Sequence, residues 1–489
     1  MKKYPCLIVA FFFSSCMVGP NYKPPENNVA DTWSSNDVSN TISTNPITTK
    51  WWEVFEDPLL DKYIALATEN NNDVLTAISR ILQARALRKV EASSFFPQIN
   101  ADVNATRTYF SKNGPIFDIG LGDGAVSDTP GLPFALQAPQ TQNLYNILFD
   151  ASWEIDLFGK TRRKVEAANA LIGSAIEETN DTLISVMAEL ARNYMELRGY
   201  QEKARLIEEN ISLLEQKSCL VRKQFEAGYT NRLDDEDILA TLATERALLP
   251  DIQAKIYKNI YTISILIGEV PESLVDELLI SKPLPKIPEE IAVGLRSDLL
   301  RRRPDIRKSE RDLAAATANI GVAVASFFPT FTLFGAAGLQ SLMLKNLFSL
   351  GSRTWAFGGD INMPIFQGGK LIGNLQAKKA ETAAVAHTYQ QTVLQALEET
   401  ESIIVSYTQD LETAKEKKQA TDRYQKLVFL SRERNAKGLT NRLDLIDTKR
   451  KLNEAEQSYL DTNITTLVDL ITLYKALGGG WEVDFSSES

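Results

Sequence analysis

Histidine is nearly absent from this chain, which has 489 residues and a single histidine, His387. That scarcity argues against histidine-based acid–base catalysis and against a histidine zinc site. Three cysteines give no disulfide framework: Cys6 falls in the leader, Cys219 stands alone in a helical run, and Cys16 has a separate role. We therefore predict no catalytic set, no cofactor and no metal site.

A positive net charge and long apolar runs are also missing. The formal net charge is −10, whereas nucleic-acid binding requires a basic face, so no nucleic-acid partner is expected. After the leader, no stretch approaches the roughly 18 uncharged apolar residues that a membrane-spanning helix requires. Phe158-Gly159-Lys160-Thr161 imitates the end of a phosphate-binding loop, but Glu154 stands where the first glycine should be. The sequence therefore predicts no phosphate-binding loop, and any process that needs energy would take it from a partner.

The chain does contain a duplicated half. Gly228-Tyr229-Thr230-Asn231-Arg232-Leu233-Asp234 returns 210 residues later as Gly438-Leu439-Thr440-Asn441-Arg442-Leu443-Asp444. Two further anchors recur: Ser94-Phe95-Phe96-Pro97 as Ser326-Phe327-Phe328-Pro329, and Gly159-Lys160 as Gly369-Lys370. A period near 200 residues is too long for a solenoid, so the sequence indicates two related halves.

The N-terminus has the pattern of a secretory leader. Lys2 and Lys3 precede a short apolar core, and residues 1–15 are predicted to be a signal peptide. Ser14-Ser15-Cys16 suits lipoprotein processing, in which Cys16 would carry an N-acyl group and an S-diacylglycerol. The alternative is ordinary signal cleavage with Cys16 incidental. Residues 16–57, a lipidated segment on this interpretation, are rich in Pro, Asn, Ser and Thr and should run extended.

The first repeat is assigned to residues 58–267 and opens with a helix from Leu59 to about Ser93. Apolar and polar residues then alternate over about 98–110 and 145–157, on either side of a loop at 111–142. A strand with polar side chains on one face and aromatic side chains on the other is typical of a membrane β-barrel, so both segments are predicted to be barrel strands. The alternative is a half-buried strand of a soluble sandwich. Residues 160–227 follow with a heptad pattern, which predicts a coiled-coil helix roughly 100 Å long, and a second helix covers 232–267.

The second half repeats this plan after a proline-rich connector at 268–296. The second repeat, 297–477, contains a helix from Pro304 to Ala325 and strands at about 330–339 and 354–365. Helices at 370–437 and 441–476 complete it, and residues 478–489 form a tail. The fold class is thus a mixed α and β membrane protein with two structural repeats, each with two barrel strands and long coiled-coil helices.

Four strands cannot close a membrane barrel, because about eight are the minimum and open edges are not tolerated in lipid. The sequence therefore predicts an oligomer that pools its strands. The helices would meet the barrel at a junction formed by the two Phe-Phe-Pro motifs, with the phenylalanines at the membrane interface; the alternative is core packing at a turn. The junction residues are Phe95, Phe96, Pro97, Phe327, Phe328 and Pro329.

Four motifs together resemble the outer membrane efflux factors, the TolC-like channels, and within them the NodT-like lipoprotein branch. They are Cys16-Met17-Val18-Gly19-Pro20-Asn21-Tyr22-Lys23-Pro24, Trp153-Glu154-Ile155-Asp156-Leu157-Phe158-Gly159-Lys160, Leu300-Arg301-Arg302-Arg303-Pro304-Asp305-Ile306-Arg307 and Tyr474-Lys475-Ala476-Leu477-Gly478-Gly479-Gly480-Trp481. Any one is modest, but the four occur in order on a duplicated frame.

The resemblance implies a homotrimer with a 12-stranded β-barrel in the outer membrane, in contact with its lipid, and a 12-helix tube in the periplasm. The implied task is passive, gated exit of small molecules, such as drugs and toxic compounds, in a tripartite system. The implied partners are a periplasmic membrane-fusion adaptor and an inner-membrane pump. Two alternatives stay open: a lipid-anchored periplasmic coiled-coil scaffold or adaptor without a pore, and the exit duct of type I protein secretion. An enzyme is not expected.

The repeated turns would lie at the far periplasmic end of the tube. Capping accounts for Asp234 and Asp444 by itself, since each lies three residues after a capping asparagine. Spacing of three also puts Asp444 and Asp447 on one helix face. The resemblance implies that these two aspartates narrow the closed aperture and that the tips dock the adaptor. The implied docking residues are Gly228, Thr230, Asn231, Arg232, Leu233, Asp234, Gly438, Thr440, Asn441, Arg442 and Leu443.

Overall fold

The computed structural model describes residues 17–25, 30, 32–33, 42–43, 49–111, 141–288 and 291–481. The chain forms two compact units. The sheet unit comprises the described residues up to 23 together with those within 85–170 and 314–383. The helical unit comprises the described residues within 24–84, 171–313 and 384–489.

The regular elements follow the duplicated plan. The helices are α1 Pro58–Asn70, α2 Asn72–Ser93, α3 Lys160–Glu226, α4 Arg232–Leu266, α5 Val275–Leu278, α6 Leu299–Arg302, α7 Pro304–Ala325, α8 Lys370–Ala436 and α9 Arg442–Ala476. The strands are β1 Ile42–Ser43, β2 Gln98–Tyr109, β3 Thr141–Ile155, β4 Ile291–Ala292, β5 Thr330–Ser341 and β6 Arg353–Asn362. Among the described residues, no helix combines the length and apolarity that crossing a membrane requires.

The sheet unit is built around four antiparallel strands in the order β2-β3-β5-β6. β2 and β3 form one hairpin and β5 and β6 the other, and β3 pairs with β5 across the two repeats. β2 and β6 are the edge strands, each with one side that no described strand occupies.

The register aligns one apolar face across all four strands. One row of this face pairs Ala101 with Phe149, Phe149 with Ala337 and Ala337 with Trp355. Trp355 and Phe357 stack with ring centroids 5.5 Å apart, and both are more than 70% exposed. Large apolar side chains so open to solvent are the exception in a soluble protein and mark a surface meant for lipid or a partner.

The opposite face is polar, as the alternation predicted. Asn100 Nδ2 donates to Asp150 Oδ2 at 3.1 Å, and Asn146 Nδ2 donates to Asn104 Oδ1 at 3.2 Å. These residues lie directly opposite one another in the β2–β3 register. Cross-strand polar pairs of this kind fix the register, because a slip of one residue would reverse the two faces.

The helical unit buries one large core. Its heptad residues on α3 include the fully buried Leu190 and Leu197, with Leu214 and Val221 buried nearer the C-terminal end. Side chains at this spacing pack against neighbouring helices in the coiled-coil manner, which confirms the heptad interpretation.

Four boundary predictions need correction. The helix predicted from Leu59 to Ser93 is two helices, because Asn71 adopts an extended conformation and caps α2 by accepting from the Asp73 and Val74 amides. Residues 17–57 are not extended throughout: Trp51–Phe55 is a 3₁₀ helix with both tryptophans buried.

β6 ends at Asn362 rather than at 365, since Pro364 lacks an amide proton for the ladder. β3 starts at Thr141, so the end of the predicted 111–142 loop belongs to the strand. Residues 112–140 of that loop lie outside the described residues, as do the signal peptide and Cys16.

Candidate functional site

The two repeated tips have the same backbone geometry. Gly228 and Gly438 have positive φ values of 77° and 71°, a conformation in which glycine is strongly favoured. The amides of Gly228 and Tyr229 donate to Phe225 O and Gln224 O at 3.0 and 2.8 Å. Gly438 and Leu439 make the matching bonds to Asn435 O and Arg434 O. Both long helices therefore end in a Schellman motif, which uses carbonyls that would otherwise lack partners.

The capping of the next helices differs between the repeats. Asn441 Oδ1 accepts from the Asp444 amide at 2.7 Å, and the Asn441 amide donates back to Asp444 Oδ2 at 3.4 Å, which completes a capping box. Asn231 Oδ1 accepts from the Asp234 amide at 3.1 Å, but the Asp234 carboxylate accepts from the Thr230 hydroxyl instead. The capping role is thus present in both halves, but it is reciprocal only in the second.

Asp447 has a partner that the sequence did not reveal. Lys217 Nζ of α3 donates to Asp447 Oδ1 of α9 at 2.6 Å. Asp444, three residues earlier, remains exposed at the helix end. The two predicted aperture aspartates therefore share a helix region, but among the described residues a cation pairs with Asp447 and none pairs with Asp444.

This ion pair begins a polar contact line between α3 and α9. Farther along, Arg450 Nε donates to Asn210 Oδ1 at 3.3 Å and Asn453 Nδ2 donates to Leu206 O at 2.8 Å. Lys203 Nζ then reaches Asp461 at 2.7 Å. Because these pairs join residues more than 200 positions apart, no local pattern could have found them.

A second missed contact holds the first tip. Arg222 Nη2 of α3 lies 3.1 Å from Asp235 Oδ2 of α4, and the Asp235 side chain is only 9% exposed. The position 210 residues after Asp235 is Leu445, so this pair occurs in one repeat only. The departure from the repeat was the one available signal, since a carboxylate replaces an apolar residue directly after the shared Thr-Asn-Arg-Leu-Asp.

Apolar side chains project from both tips. Tyr229, Leu233 and Leu439 are exposed, and Leu233 lies among the predicted docking residues. Tips held by Schellman motifs and asparagine caps present these side chains on an ordered backbone.

A carboxyl pair lies between α8 and α9. Burial first, and then the nearby Asp410 carboxylate, raise the pKa of Asp469 from its ordinary 3.8 to about 6. Two carboxyl groups that close together resist joint ionisation. Asp469 is therefore a candidate for titration just below neutral pH.

The two Phe-Phe-Pro junctions are not equivalent. Phe328 stacks on Phe158 with centroids 4.7 Å apart. In the first repeat, Trp153 Nε1 donates to Phe95 O at 3.0 Å, while the Phe96 ring is largely exposed. The sequence predicted one role for both motifs; the structure places one phenylalanine in a stack and leaves another open.

Residues directly after Cys16 are held firmly in the sheet unit. The Val18 amide donates to Phe158 O at 3.2 Å, and the Arg163 guanidinium donates to Val18 O, Gly19 O and Asn21 Oδ1. The Arg163 side chain is 1% exposed. The sequence motif around Gly159 was recognised, but its contact with the N-terminal segment was not.

Comparison with known proteins places these features in context. The family model "Outer membrane efflux protein" matches residues 63–269 and 295–479. The toluene efflux pump outer membrane protein TtgF of Pseudomonas putida is 28% identical, with 98% of this chain and 97% of that protein aligned. Nodulation protein T of Rhizobium leguminosarum bv. viciae is 26% identical over 97% of this chain and 92% of its own length.

A solved structure shares the fold. The outer-membrane channel OprN superposes with a TM-score of 0.82 at 29% identity, covering 95% of this chain and all of that chain. The resemblance drawn from the four sequence motifs is thereby confirmed, as is the fold class of two repeats with long helices and a four-stranded sheet.

Proposed function

Since this chain belongs to the outer membrane efflux protein family, we propose that it is the outer membrane channel of a tripartite efflux system. Small molecules would pass from an inner-membrane pump, through a periplasmic adaptor, and out to the exterior. The chain would act as a gated, passive duct and not as an enzyme. The sheet unit would lie in the outer membrane and the long helices would extend into the periplasm.

The observation that carries this proposal is the sheet with one lipid-compatible face and two open edges. Trp355, Phe357 and Ile361 are all exposed on β6, and the opposite face of the sheet carries the polar pairs of β2 and β3. An open sheet edge in lipid would leave backbone amides and carbonyls without partners. The edges of β2 and β6 must therefore be covered by another chain, and an aqueous interior follows from the polar face.

Three copies give the closure that one copy lacks. Twelve strands fall within the range of membrane barrels, whereas four do not. In each copy β3 already pairs antiparallel with β5 across the repeats. The equivalent pairing would join β6 of one copy to β2 of the next, so the duplicated chain repeats one contact around a ring.

A helix contact supports the same ring. Arg163 of α3 packs over Gly321 of α7, where an added Cβ would meet Arg163 Cδ at 2.7 Å. Gly159 and Gly369 are 210 residues apart, and the same offset relates Arg163 to Gly373 of α8. Pro97 and Pro329 are 232 residues apart, and that offset relates Gly321 to Lys89 of α2. Among the described residues, nothing lies within 4 Å of a Cβ added at Gly373, and Lys89 is exposed. At the first contact the long side chain is on α3 and the glycine on α7, whereas at the corresponding positions the glycine is on α8 and the long side chain, Lys89, on α2. Helix α2 of a second copy would therefore pack against α8 in the way that α7 packs against α3.

The anchor and the aperture complete the proposed function. Cys16 would carry the N-acyl and S-diacylglycerol groups, directly before the residues that Arg163 binds. Asp444 and Asp447 from three chains would surround the axis at the closed end, with Lys217 neutralising part of the charge. Exposed Tyr229, Leu233 and Leu439, with the predicted docking residues around them, would contact the adaptor.

Pore formation in a planar lipid bilayer tests the proposal directly. Purified protein should produce discrete conductance steps without added nucleotide, because the pore needs no energy source of its own. Protein that binds bilayers through its anchor without any conductance would instead identify a periplasmic scaffold. Removing the edge strand β6, Arg353–Asn362, serves as a control, since a chain without one edge strand cannot close the ring.

A further inference from the structure

The N-terminal segment fits into a site built mainly by three residues of the sheet unit. We propose that Arg163, Gly159 and Gly321 form a seat for Met17–Asn21, and that this seat ties the membrane anchor to the base of the β-sheet. The inference rests on the proposed function where it concerns Cys16, which is bonded to Met17. The seat itself depends only on described residues.

Arg163 supplies the polar half of the seat. Its Nε donates to Val18 O at 3.2 Å, and its Nη2 donates to Gly19 O at 3.2 Å and Asn21 Oδ1 at 2.7 Å. Nη1 donates to Glu166 Oε2 at 2.7 Å, which balances the charge. A buried guanidinium is tolerated only when its donors are matched. Without residues 17–21, three of these hydrogen bonds would be lost at a side chain that is 1% exposed.

The two glycines supply the shape. A Cβ added at Gly19 would lie 2.5 Å from Gly321 Cα, so the segment passes α7 at a distance that requires glycine at position 19, and a Cβ at Gly321 would collide with Arg163 Cδ at 2.7 Å. At Gly159, whose φ is 82°, an added Cβ would lie 2.7 Å from Met17 Cγ. Backbone this close to backbone leaves no room for other side chains, so the seat selects both the sequence and the path of the segment.

The second repeat has no such seat. Gly369 matches Gly159 and has a similar φ of 88°, but a Cβ there would meet nothing within 4 Å among the described residues. Gly373 replaces Arg163 at the corresponding position of α8. The first junction has therefore acquired a buried arginine that the duplicated frame does not require, and its partners are the residues next to Cys16.

The seat lies where an anchor would have most effect. Val18 bonds to Phe158 O, and the Phe158 ring stacks on Phe328 at the turn from helix to strand. The segment is thus connected to the end of β3 and the start of β5 through the Val18–Phe158 hydrogen bond and the Phe158–Phe328 stack. Seating would hold the acylated end beside the sheet while the edges of three copies pair.

Hydrogen exchange of the full-length protein in detergent tests the seat without reference to lipid. Arg163→Ala and Gly321→Ala should each speed exchange of the Val18 amide, which donates to Phe158 O, by about tenfold or more, since each hydrogen bond to a charged group is worth roughly that factor. Gly373→Ala is the matched control, because it adds the same methyl group at the corresponding position of the second repeat, where within one chain it contacts none of residues 17–21. Exchange in α9 reports whether each variant is folded. Unchanged exchange of the Val18 amide in both folded variants would overturn the seat.

A double-mutant cycle tests the link to the anchor. Cys16→Ser should lower the yield of oligomer in the outer membrane of cells that carry Arg163. The same substitution should have less than half that effect in the Arg163→Ala background, because a segment that is not bound by Arg163 no longer links the anchor to the sheet. Additive losses, or no loss from Cys16→Ser when Arg163 is present, would refute the link. Absence of lipid labelling in the unaltered protein would refute acylation itself, while the exchange result would still decide the seat.

Discussion

Lys217 Nζ lies 2.6 Å from Asp447 Oδ1, so the lower part of α3 is joined to the first turns of α9 by an ion pair. Asp447 is 43% exposed, and such a partly solvated pair contributes at most about 1 kcal/mol to stability. Its importance lies in charge. The pair determines how many unpaired carboxylates the proposed aperture presents. Removing the aspartates and removing the lysine should therefore change cation block in opposite directions.

Replacing both Asp444 and Asp447 by Ala should remove the negative charge of the proposed aperture. The double variant loses six carboxylates from the proposed trimer, so single-channel conductance should rise and block by divalent or trivalent cations should weaken. The free energy of unfolding should fall by only about 0.5–2 kcal/mol, because Asn441 still caps the helix. Asp234→Ala is the control, because it removes the carboxylate at the same place after the first-repeat capping asparagine and leaves both aperture aspartates present. Equal opening by the control would show that loss of a first-turn carboxylate, and not of the aspartate ring, opens the pore.

Lys217→Met should act in the opposite direction on cation block. The variant leaves the Asp447 carboxylate charged and unpaired, which adds negative charge without moving a carboxylate to a new position. Titration of conductance with a trivalent cation should therefore give a lower half-blocking concentration than in the unaltered channel. A half-blocking concentration that rises would place Asp447 away from the conducting path.

Cys16→Ser should abolish acylation. Labelling of cells with a radioactive or clickable fatty acid should mark the unaltered protein and leave the variant unmarked, and mass spectrometry should find Cys16 as the mature first residue. Oligomer should still form in some amount, since a closed barrel holds itself in the membrane. Label that persists in the variant would assign the lipid to another residue.

Paired cysteines at Lys89 and Gly373 should crosslink between copies. The proposed ring brings α2 of one copy onto α8 of the next, so mild oxidation should give covalent dimers and trimers on denaturing gels. Cys219→Ser is the necessary background, because Cys219 is free and exposed. Single-cysteine variants should stay monomeric on the same gels. A pore-forming monomer in mild detergent, or crosslinks within one chain only, would contradict the ring.

Epitope tags in the two strand-connecting loops should face the outside of the cell. Residues 112–140 connect β2 to β3, and residues 342–352 connect β5 to β6. In each hairpin the helices adjoin the other ends of the two strands. Antibody should reach tags at both sites on intact cells. Binding that requires an opened outer membrane would reverse the topology.

Asp469 should make stability depend on pH in a defined direction. Burial raises its pKa from 3.8 to about 6, so the folded state holds this proton more tightly than the unfolded state does. Its contribution is fully present below about pH 4 and is lost as the pH rises through about 6. Asp469→Asn should remove this loss and raise the unfolding temperature above pH 7. Asp461→Asn, on the same helix and paired with Lys203, is the control and should leave the slope unchanged.

Most of the fold followed from local patterns in the sequence. Period-two alternation in residues 98–109 and heptads in 183–221 each place the apolar side chains on one face of the element. The repeated Gly-x-Thr-Asn-Arg-Leu-Asp turn required a left-handed glycine and an asparagine cap, and both tips have them. The break at Asn71 was missed because capping by this residue competes with a helical rhythm that continues on both sides.

The amino-acid sequence alone thus determined the repeats, the strand faces, the helix ends and the family resemblance, since each depends on residues close together in the chain. Only the tertiary structure decided that Asp447 pairs with Lys217, that Arg163 binds Val18 and Gly19, and that β2 and β6 are the open edges. Those contacts join residues some 145 to 230 positions apart. Their partners are selected by packing and by the need to match buried donors, and neither leaves a periodic trace in the sequence.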